Sequence, residues 1–596
     1  MIKIFKYLKP REWYMALASL VFIVAQVWLD LRMPDFMAEI TTLVQTPGSA
    51  MRDIWVAGGM MLLCTLGSLC AAFIVGYFAA IIGSGFSRRL RRLLFNKVDS
   101  FSMEEINRFS TDSLITRSTN DITQVQMIIA MGLQLVIRAP IMAVWAITKI
   151  AGKGLEWTMA TGVAVLILLI MIVILMYFVL PKFRMMQSLI DNMNRVTREN
   201  LTGLRVVRAY HAVDYQESKY EKANDELTGT QLYTSRAMAI VWPVIGMIMS
   251  GVSLSVFWIG AYLINSAQAM DRLPIFSSMM VFSIYAIQVI MSFMMLTMMY
   301  IMLPRATVSA NRIREVLDTK ATILDGTFVD GVTVDETQVD GASGVKGEVT
   351  FRNVGFKYPD AADYVLKDVS FTAHAGETVA FIGSTGSGKS TLINLVPRFY
   401  DVTEGEVLIN GVDVREYKFE ALYNKIGYVP QQAVLFKGSV HSNVAYGDNG
   451  SAVFSEDDVK KAVAIAQATD FVEEMDGGYD ADVARGGTNI SGGQKQRLSI
   501  ARAVCRKPEI YIFDDSFSAL DYKTDRLLRN MLKKETSGVT SLIVAQRIGT
   551  IMDADQIIVL DEGRVVGHGR HKDLLKSCEV YRQIAISQLS EEELAS

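Results

Sequence analysis

The sequence predicts two domains in one chain: an α-helical membrane domain of six transmembrane helices, followed by an α/β domain built around a phosphate-binding loop. At 596 residues the chain is too long for a single core. Hydrophobic residues make up 51% of it, and before about residue 305 they form runs long enough to span a bilayer. From residue 347 onward, short β-rich runs alternate with helical ones around a glycine-rich loop at 383–391.

Six apolar segments define the first domain. In lipid each segment must satisfy its own backbone hydrogen bonds, so each is predicted to be a helix. They lie near 13–38, 54–84, 125–150, 157–180, 239–264 and 275–303. The predicted domains are a transmembrane domain at 1–317, a polar linker at 318–346 and a nucleotide-binding domain at 347–596.

Basic residues indicate the orientation in the membrane. They are concentrated at the N-terminus and in the loops after the second and fourth segments, as in the run 88–92. Because positive charge is typical of the cytoplasmic side, we expect a multi-pass protein of the cell membrane with both termini and the second domain in the cytoplasm. The two long cytoplasmic loops mix charged and apolar residues at helical spacing. The membrane helices are therefore expected to extend beyond the bilayer and to contact the second domain.

Ionisable residues within the apolar segments are few, and Asp30, Arg32 and Arg138 are the clearest. A charge at membrane depth is expected to face a cavity or a partner, so these residues either line a substrate route or form structural pairs. The sixth segment contains eight methionines between Met279 and Met302. Their flexible side chains suit apolar substrates of varied shape, although ordinary packing or lipid contact explains them equally well.

Composition excludes several classes of function. A net charge of −3 provides no excess of positive charge to bind phosphate backbones, so no nucleic-acid partner is expected. The four cysteines form no CxxC pair, which favours neither a disulfide framework nor a zinc site.

The phosphate-binding loop carries the most specific signal in the sequence. It follows an apolar strand pattern and precedes a helical one, the context that such a loop requires. Lys389 is predicted to reach the β- and γ-phosphates of a nucleotide, and the Ser390 hydroxyl is predicted to hold Mg²⁺. The nucleotide-binding residues of the loop are Gly383, Ser384, Thr385, Gly386, Ser387, Gly388, Lys389, Ser390 and Thr391.

Five further positions are predicted to complete this site. Tyr358 lies about 25 residues before the loop, where an aromatic ring either stacks on adenine or packs in the core. Gln431 follows a strand and is placed to complete the Mg²⁺ shell. Asp514 ends a buried apolar strand and is predicted to hold Mg²⁺ through water, with Asp515 beside it. Another strand ends in the neutral amide of Gln546.

A second anion-binding helix start is predicted at Ser491, Gly492, Gly493 and Gln494. One chain rarely needs two such starts for one nucleotide. We therefore expect this one to cap the γ-phosphate of a nucleotide that is held by another subunit.

Together these motifs resemble the ATP-binding cassette (ABC) family. The resemblance covers nearly the whole chain and rests on the phosphate loop, Tyr358, Gln431, the signature Ser491–Gln494, Asp514 and the loop that ends at Asp521. It implies a half-size exporter with a type IV membrane fold. It also implies a dimer that sandwiches two ATP molecules with Mg²⁺, and cytoplasmic coupling regions near Asp112–Asp121 and Glu199–Tyr210.

Two departures from the family pattern predict an asymmetric partner. The catalytic glutamate usual in the family is Asp515 here, and the usual switch histidine is Gln546. Asp is one methylene shorter than Glu, and Gln cannot become cationic. The site that contains Lys389, Asp514, Asp515 and Gln546 is therefore expected to bind ATP and hydrolyse it slowly, whereas the intact signature serves the opposite site.

The sequence therefore predicts the degenerate-site subunit of a heterodimeric, multidrug-type exporter of small, apolar, varied substrates. One alternative is a membrane protein gated by ATP, regulatory or channel-like. Another is an exporter of lipids or peptides.

Overall fold

The structure, a computed structural model, describes residues 2–46, 48–151, 154–268, 270–329, 332–333, 346–359, 361–447, 449 and 454–589. The chain forms two compact units. The membrane unit comprises Met1–Asp99 and Thr111–Thr319, and the nucleotide unit comprises Ser100–Ser110 and Lys320–Ser596. The domain boundaries 1–317, 318–346 and 347–596 remain predictions, and residues 330–331 and 334–345 of the expected linker lie outside the described residues.

Helices make up the membrane unit. They are α1 (Pro10–Gln45), α2 (Met51–Asp99), α4 (Thr111–Thr116), α5 (Ile122–Ala151), α6 (Leu155–Thr202), α7 (Leu204–Ala209), α8 (Val213–Ala239), α9 (Val241–Ser266) and α10 (Arg272–Asp318), while α3 (Met103–Phe109) belongs to the nucleotide unit. In the described part of the chain, six helical stretches are long and apolar enough to cross a membrane, which confirms the six predicted segments. The 49 residues of α2 span about 73 Å at 1.5 Å per residue, more than twice the ~30 Å of a bilayer core.

Buried aromatic side chains hold the membrane helices together. The Tyr285 hydroxyl donates hydrogen bonds to the Leu31 carbonyl at 2.7 Å and to Asp35 Oδ1 at 2.8 Å, which fixes α10 against α1. The Trp157 indole N–H donates to the Val256 carbonyl at 3.1 Å and links α6 to α9. Large apolar side chains on the outer faces of α2, α6 and α9 are exposed, as is expected for helices that contact lipid.

The first expected coupling region, Asp112–Asp121, belongs to the membrane unit, and its coupling role stays a prediction. Residues 111–121 lead into α5 and pack inside the membrane unit, where Arg117 Nη1 lies 2.7 Å from Glu315 Oε2 and Asp121 accepts from Ser309 at 2.8 Å. The short helix α3 instead belongs to the nucleotide unit. The second expected region, Glu199–Tyr210, contains the short helix α7 between α6 and α8.

The nucleotide unit combines two main sheets with helices. Its strands are β1 (Phe328–Val329), β2 (Val332–Thr333), β3 (Val349–Phe356), β4 (Leu366–Ala373), β5 (Thr378–Gly383), β6 (Glu404–Ile409), β7 (Val412–Asp413), β8 (Ile426–Val429), β9 (Gly438–Ser439), β10 (Asp482–Val483), β11 (Ile510–Asp514), β12 (Thr540–Val544), β13 (Gln556–Asp561) and β14 (Arg564–Gly569). Its helices after α3 are α11 (Lys389–Asn394), α12 (Phe419–Asn424), α13 (Val440–Val444), α14 (Glu456–Ile465), α15 (Thr469–Glu474), α16 (Gly492–Cys505), α17 (Tyr522–Glu535), α18 (Ile548–Ile551), α19 (His571–Ser577) and α20 (Glu579–Gln588).

The larger sheet positions the site. Its strand order is β14-β13-β5-β12-β11-β8, with β13, β5, β12, β11 and β8 parallel and β14 antiparallel at the edge. A four-stranded antiparallel sheet, β4-β3-β6-β7, shares one apolar core with it. A second core lies between the larger sheet and α14, α16, α17 and α20. Because parallel strands end at the same edge, the residues that follow β5, β8, β11 and β12 converge there.

Candidate nucleotide site

The phosphate loop joins β5 directly to α11. Gly388 precedes the helix with φ at +96°, a conformation that glycine adopts without strain. A Cβ at this position would lie 2.8 Å from Leu366 Cδ2 and 3.1 Å from the Val365 carbonyl oxygen. Glycine is therefore required here both for its backbone conformation and for the close approach of a neighbouring strand.

Lys389, the first residue of α11, points back into the phosphate loop. Its ammonium donates hydrogen bonds to the carbonyls of Gly383 at 2.9 Å and Ser384 at 2.7 Å. Burial lowers the pKa of Lys389, and the nearby carboxylates of Asp515 and Asp514 oppose that shift. The loop thus holds a cation at its centre, where it can bind the phosphates of a nucleotide.

Ser390 and Asp514 meet beside this lysine. The Ser390 hydroxyl donates to Asp514 Oδ1 at 2.8 Å, and the Asp514 side chain is buried at the end of β11. Burial raises the pKa of Asp514, while the hydrogen bond from Ser390 and the charge of Lys389 act against the rise. A hydroxyl and a carboxylate oxygen are hard donors of the type that Mg²⁺ prefers, so these residues fit the ion that accompanies a nucleotide triphosphate.

Asp515 is held between two amides. Its Oδ2 accepts from Gln546 Nε2 at 2.7 Å and from Gln431 Nε2 at 3.2 Å. Its backbone has φ at +47°, a left-handed conformation that Asp tolerates better than most residues. Burial raises the pKa of Asp515, and the hydrogen bonds from Gln431, Ser518 and Gln546 oppose that effect. The structure thus brings Gln431, Asp515 and Gln546 into one hydrogen-bonded cluster beside the phosphate loop.

Tyr358 is fixed beside the loop rather than deep in the core. Its half-buried side chain shares a hydrogen bond with Thr391 Oγ1 at 3.0 Å. Its ring packs edge-on against Phe356 and Tyr400, with ring centroids 5.0 Å and 5.3 Å away. This position next to the phosphate loop is compatible with stacking on a base.

The signature lies on a different surface element. Ser491 caps α16 by accepting from the Gln494 N–H at 3.3 Å, and the Gln494 side chain accepts from the Ser491 N–H at 2.9 Å. Ser491 and Gly492 are exposed, so this helix start is open to a ligand from outside the unit. Gly493 faces the loop that leads to Asp521, since a Cβ on it would lie 3.4 Å from the Ala519 carbonyl oxygen. Asp521 itself caps α17 by accepting from the Thr524 N–H at 3.0 Å.

The contacts of α3 were not predicted from the sequence. Glu105 is buried, and its Oε1 accepts from the Thr322 N–H at 2.8 Å. Asn107 Nδ2 donates to the Tyr400 hydroxyl at 3.3 Å. The local signal was present, because Ser102 and Glu105 form the reciprocal capping box that marks a helix start.

Comparisons with known proteins agree with this arrangement. The family model described as "ABC transporter transmembrane region" matches residues 16–293, and the one described as "ABC transporter" matches residues 366–518. An uncharacterised ABC transporter ATP-binding protein of Mycobacterium tuberculosis is 40% identical over 530 residues, which cover 89% of this chain and 87% of that protein. The uncharacterised ABC transporter ATP-binding protein YfiB of Bacillus subtilis is 33% identical over 99% of both chains.

Two further relatives extend the comparison. An ATP-dependent lipid A-core flippase of Pseudomonas aeruginosa is 30% identical over 87% of this chain and 83% of its own. Among solved structures, a bacterial Atm1-family ABC exporter with ATP bound has the same fold. Its TM-score is 0.73 and its identity 24%, and the match covers 97% of this chain and 99% of that one.

Proposed function

Because this chain belongs to the ABC transporter family, as a half-transporter with one transmembrane region and one ATP-binding domain, we propose that it is the degenerate-site subunit of a heterodimeric exporter. Its own phosphate loop binds Mg-ATP and hydrolyses it slowly. Its signature, Ser491–Gln494, completes the faster site of the partner subunit. The exported substrates are small, apolar and varied, and both termini and the ATP-binding domain lie in the cytoplasm.

The cluster around Asp515 is the observation that supports the slow site. A carboxylate acting as general base must reach the attacking water, and its efficiency depends on position before pKa. The Asp515 side chain is one methylene shorter than that of the glutamate usual in the family. Its Oδ2 accepts hydrogen bonds from Gln546 at 2.7 Å and from Gln431 at 3.2 Å. Gln546 donates a hydrogen bond but supplies no positive charge for a γ-phosphate.

The remaining residues of the site support nucleotide binding. Lys389 supplies a fixed cation, and the loop residues Gly383–Ser387 surround it. Ser390 and Asp514 would hold Mg²⁺, which when bound neutralises charge on the β- and γ-phosphates. Tyr358 is positioned to stack on the adenine. A site of this composition retains ATP and lacks a well-placed base to consume it.

The proposal is tested by purifying the chain alone and as a complex with its proposed partner subunit. ATP hydrolysis and transport are then measured for both preparations in liposomes. We expect ATP binding but little turnover by the chain alone, and substrate-stimulated turnover by the pair. Rapid, symmetric hydrolysis by the chain alone would overturn the degenerate-site assignment.

Lipid export is a second candidate, favoured by the relatives named as lipid A-core flippases at about 30% identity. Transport of a fluorescent phospholipid between the leaflets of proteoliposomes distinguishes it from export of soluble compounds, since only a lipid translocator changes the fraction of label accessible to an external reductant.

A further inference from the structure

The membrane unit contains a cavity of about 300 Å³ that is lined by five apolar side chains and a polar group of four. The polar group consists of Asp30 from α1, Arg138 from α5, and Gln288 and Ser292 from α10. Asp30 and Arg138 form a structural pair, which was one of the two alternatives, and both also line the cavity. Their place on a substrate route stays a prediction. Arg32 lies elsewhere, with its guanidinium 5.5 Å from the ring centroid of Trp28.

Both residues of the ion pair keep hydrogen-bonding capacity for a ligand. Arg138 Nη2 donates to Asp30 Oδ2 at 3.0 Å, and the Ser68 hydroxyl of α2 donates to Asp30 Oδ1. Among the described residues this is the one hydrogen bond of the Arg138 guanidinium, which has five N–H donors. The pair has no net charge. The cavity therefore presents a positive and a negative group side by side, not an excess of either charge.

Gln288 adds a requirement for a hydrogen-bond donor. Its Oε1 is buried and accepts no hydrogen bond from the described residues. A buried acceptor without a partner is unfavourable. Because Gln288 lines the cavity, rotation of its side chain would bring Oε1 to a ligand N–H placed there. An ammonium group satisfies this acceptor and the Asp30 carboxylate together.

The rest of the wall suits an apolar chain of variable shape. Methionines from α1, α5 and α10 line it, including Met291 and Met295 of the methionine-rich sixth segment. Unbranched, polarizable side chains adapt to ligands of different outline. The side chains at 298, 299 and 302 lie outside the described residues.

We propose that this cavity binds the head of a zwitterionic amphiphile. The ammonium lies toward Asp30 and Gln288, the anionic group lies toward Arg138, and the apolar body lies along the methionines. The assignment rests on the proposed export function and refines its substrate class from small, apolar compounds to amphiphiles with an apolar body and a zwitterionic head. A purely anionic head would be attracted by Arg138 but repelled by the Asp30 carboxylate. Binding of such an amphiphile is therefore disfavoured.

A second ion pair on the same two helices provides a matched control. Asp35 of α1 and Lys149 of α5 lie 2.6 Å apart, and Asp35 also accepts from Tyr285. Neither residue lines the cavity. Removing the Asp35 charge therefore perturbs a comparable pair in the same membrane helices without changing the proposed head-group site.

The test measures equilibrium binding of three single-chain lipids to the full-length protein. The protein is purified as a complex with its proposed partner subunit and is kept free of nucleotide. Lysophosphatidylethanolamine is zwitterionic with N–H donors, lysophosphatidylcholine is zwitterionic without them, and lysophosphatidylglycerol is anionic. We expect lysophosphatidylethanolamine to bind about tenfold more tightly than lysophosphatidylglycerol. Asp30→Asn should abolish or reverse this preference because Arg138 is then uncompensated, while Asp35→Asn should leave it unchanged.

Two more variants keep the test decisive if Asp30→Asn folds poorly. The double variant Asp30→Asn with Arg138→Gln leaves no unpaired charge and should bind all three lipids alike. Gln288→Leu should weaken lysophosphatidylethanolamine binding and spare lysophosphatidylcholine, which has no N–H to donate. Equal binding of all three lipids by the unaltered protein, or an equal effect of Asp35→Asn and Asp30→Asn, would overturn the proposal. Since no ATP is present, these results are independent of whether the nucleotide site is degenerate.

Discussion

Restoring the two family residues at the nucleotide site is the sharpest test of how the site works. In the double variant Asp515→Glu with Gln546→His, the carboxylate gains one methylene of reach and the neutral amide becomes a group that can carry charge. The amide that now lies 2.7 Å from Asp515 Oδ2 is removed at the same time. We expect hydrolysis at this site to rise.

The size of the effect follows from the geometry. One methylene moves the carboxylate by about 1 Å, and a misplacement of that size costs about 10²-fold in rate, or about 2.7 kcal/mol of barrier. The single variant Gln546→His should gain much less, because the base would still fall short. Asp515 has φ at +47°, which Glu tolerates less well, so the Tm of each variant must be compared with that of the unaltered chain.

The assay has to isolate this site from its opposite. In a Ser491→Arg background, a bulky side chain fills the exposed start of α16, and turnover at the partner's site should be lost. The ATPase activity that remains then reports the phosphate loop of this chain. If the double variant folds and binds ATP but hydrolyses no faster than the Ser491→Arg protein alone, the slow rate does not arise from Asp515 and Gln546.

Three other predictions concern the same unit. In the heterodimer, Lys389→Ala should lower total ATPase only a few-fold, whereas Ser491→Arg should remove most of it; equal losses would contradict the assigned asymmetry. Tyr358→Ala should weaken ATP binding by about 1–3 kcal/mol through lost stacking, whereas Tyr358→Phe, which loses only the hydrogen bond to Thr391, should cost about 1 kcal/mol or less in a nucleotide titration. Burial acts to raise the pKa of Glu105, but hydrogen bonds from Ser102 and Thr322 outweigh it and hold the pKa below its ordinary value of 4.5. The docking of α3 is thus fully stabilised above pH 4.5 and weakens as the pH falls toward the lowered pKa. Hydrogen exchange of α3, corrected for its intrinsic pH dependence, should rise in that range, and Glu105→Gln should remove the dependence.

Local patterns in the sequence predicted the membrane helices and the phosphate loop because each depends on contiguous residues. Pairing across strands was harder to predict. The parallel register sets Asp514 beside Val544, and this is why Asp515 meets Gln546, two residues beyond Val544. Both residues were predicted from the sequence to belong to the site, but the hydrogen bond between them was not predicted.

The docking of α3 could not be predicted from charge patterns, since its partners are far away along the chain. Asn107 bonds to Tyr400, and Glu105 bonds to Thr322. In the more conspicuously charged run 112–121, Arg117 pairs with Glu315 and Asp121 accepts from Ser309, both of α10 in the membrane unit. A capping box was the better guide than charge, because it marks a helix start whatever the helix later contacts.

Within the nucleotide unit, a continuous set of contacts leads from the phosphate loop to α3. Thr391 bonds to Tyr358, the rings of Tyr358 and Tyr400 meet edge-on at 5.3 Å, and Tyr400 accepts from Asn107. A bound nucleotide that restrains Thr391 therefore also restrains Tyr400, which accepts the hydrogen bond from Asn107 of α3. Under the proposed function, ATP stays at this site through many turnovers of the opposite one, so α3 stays docked. The two halves of the exporter would then move unequally. Tyr400→Ala should free α3, seen as faster hydrogen exchange, and should also weaken ATP binding, because coupling between two sites is reciprocal.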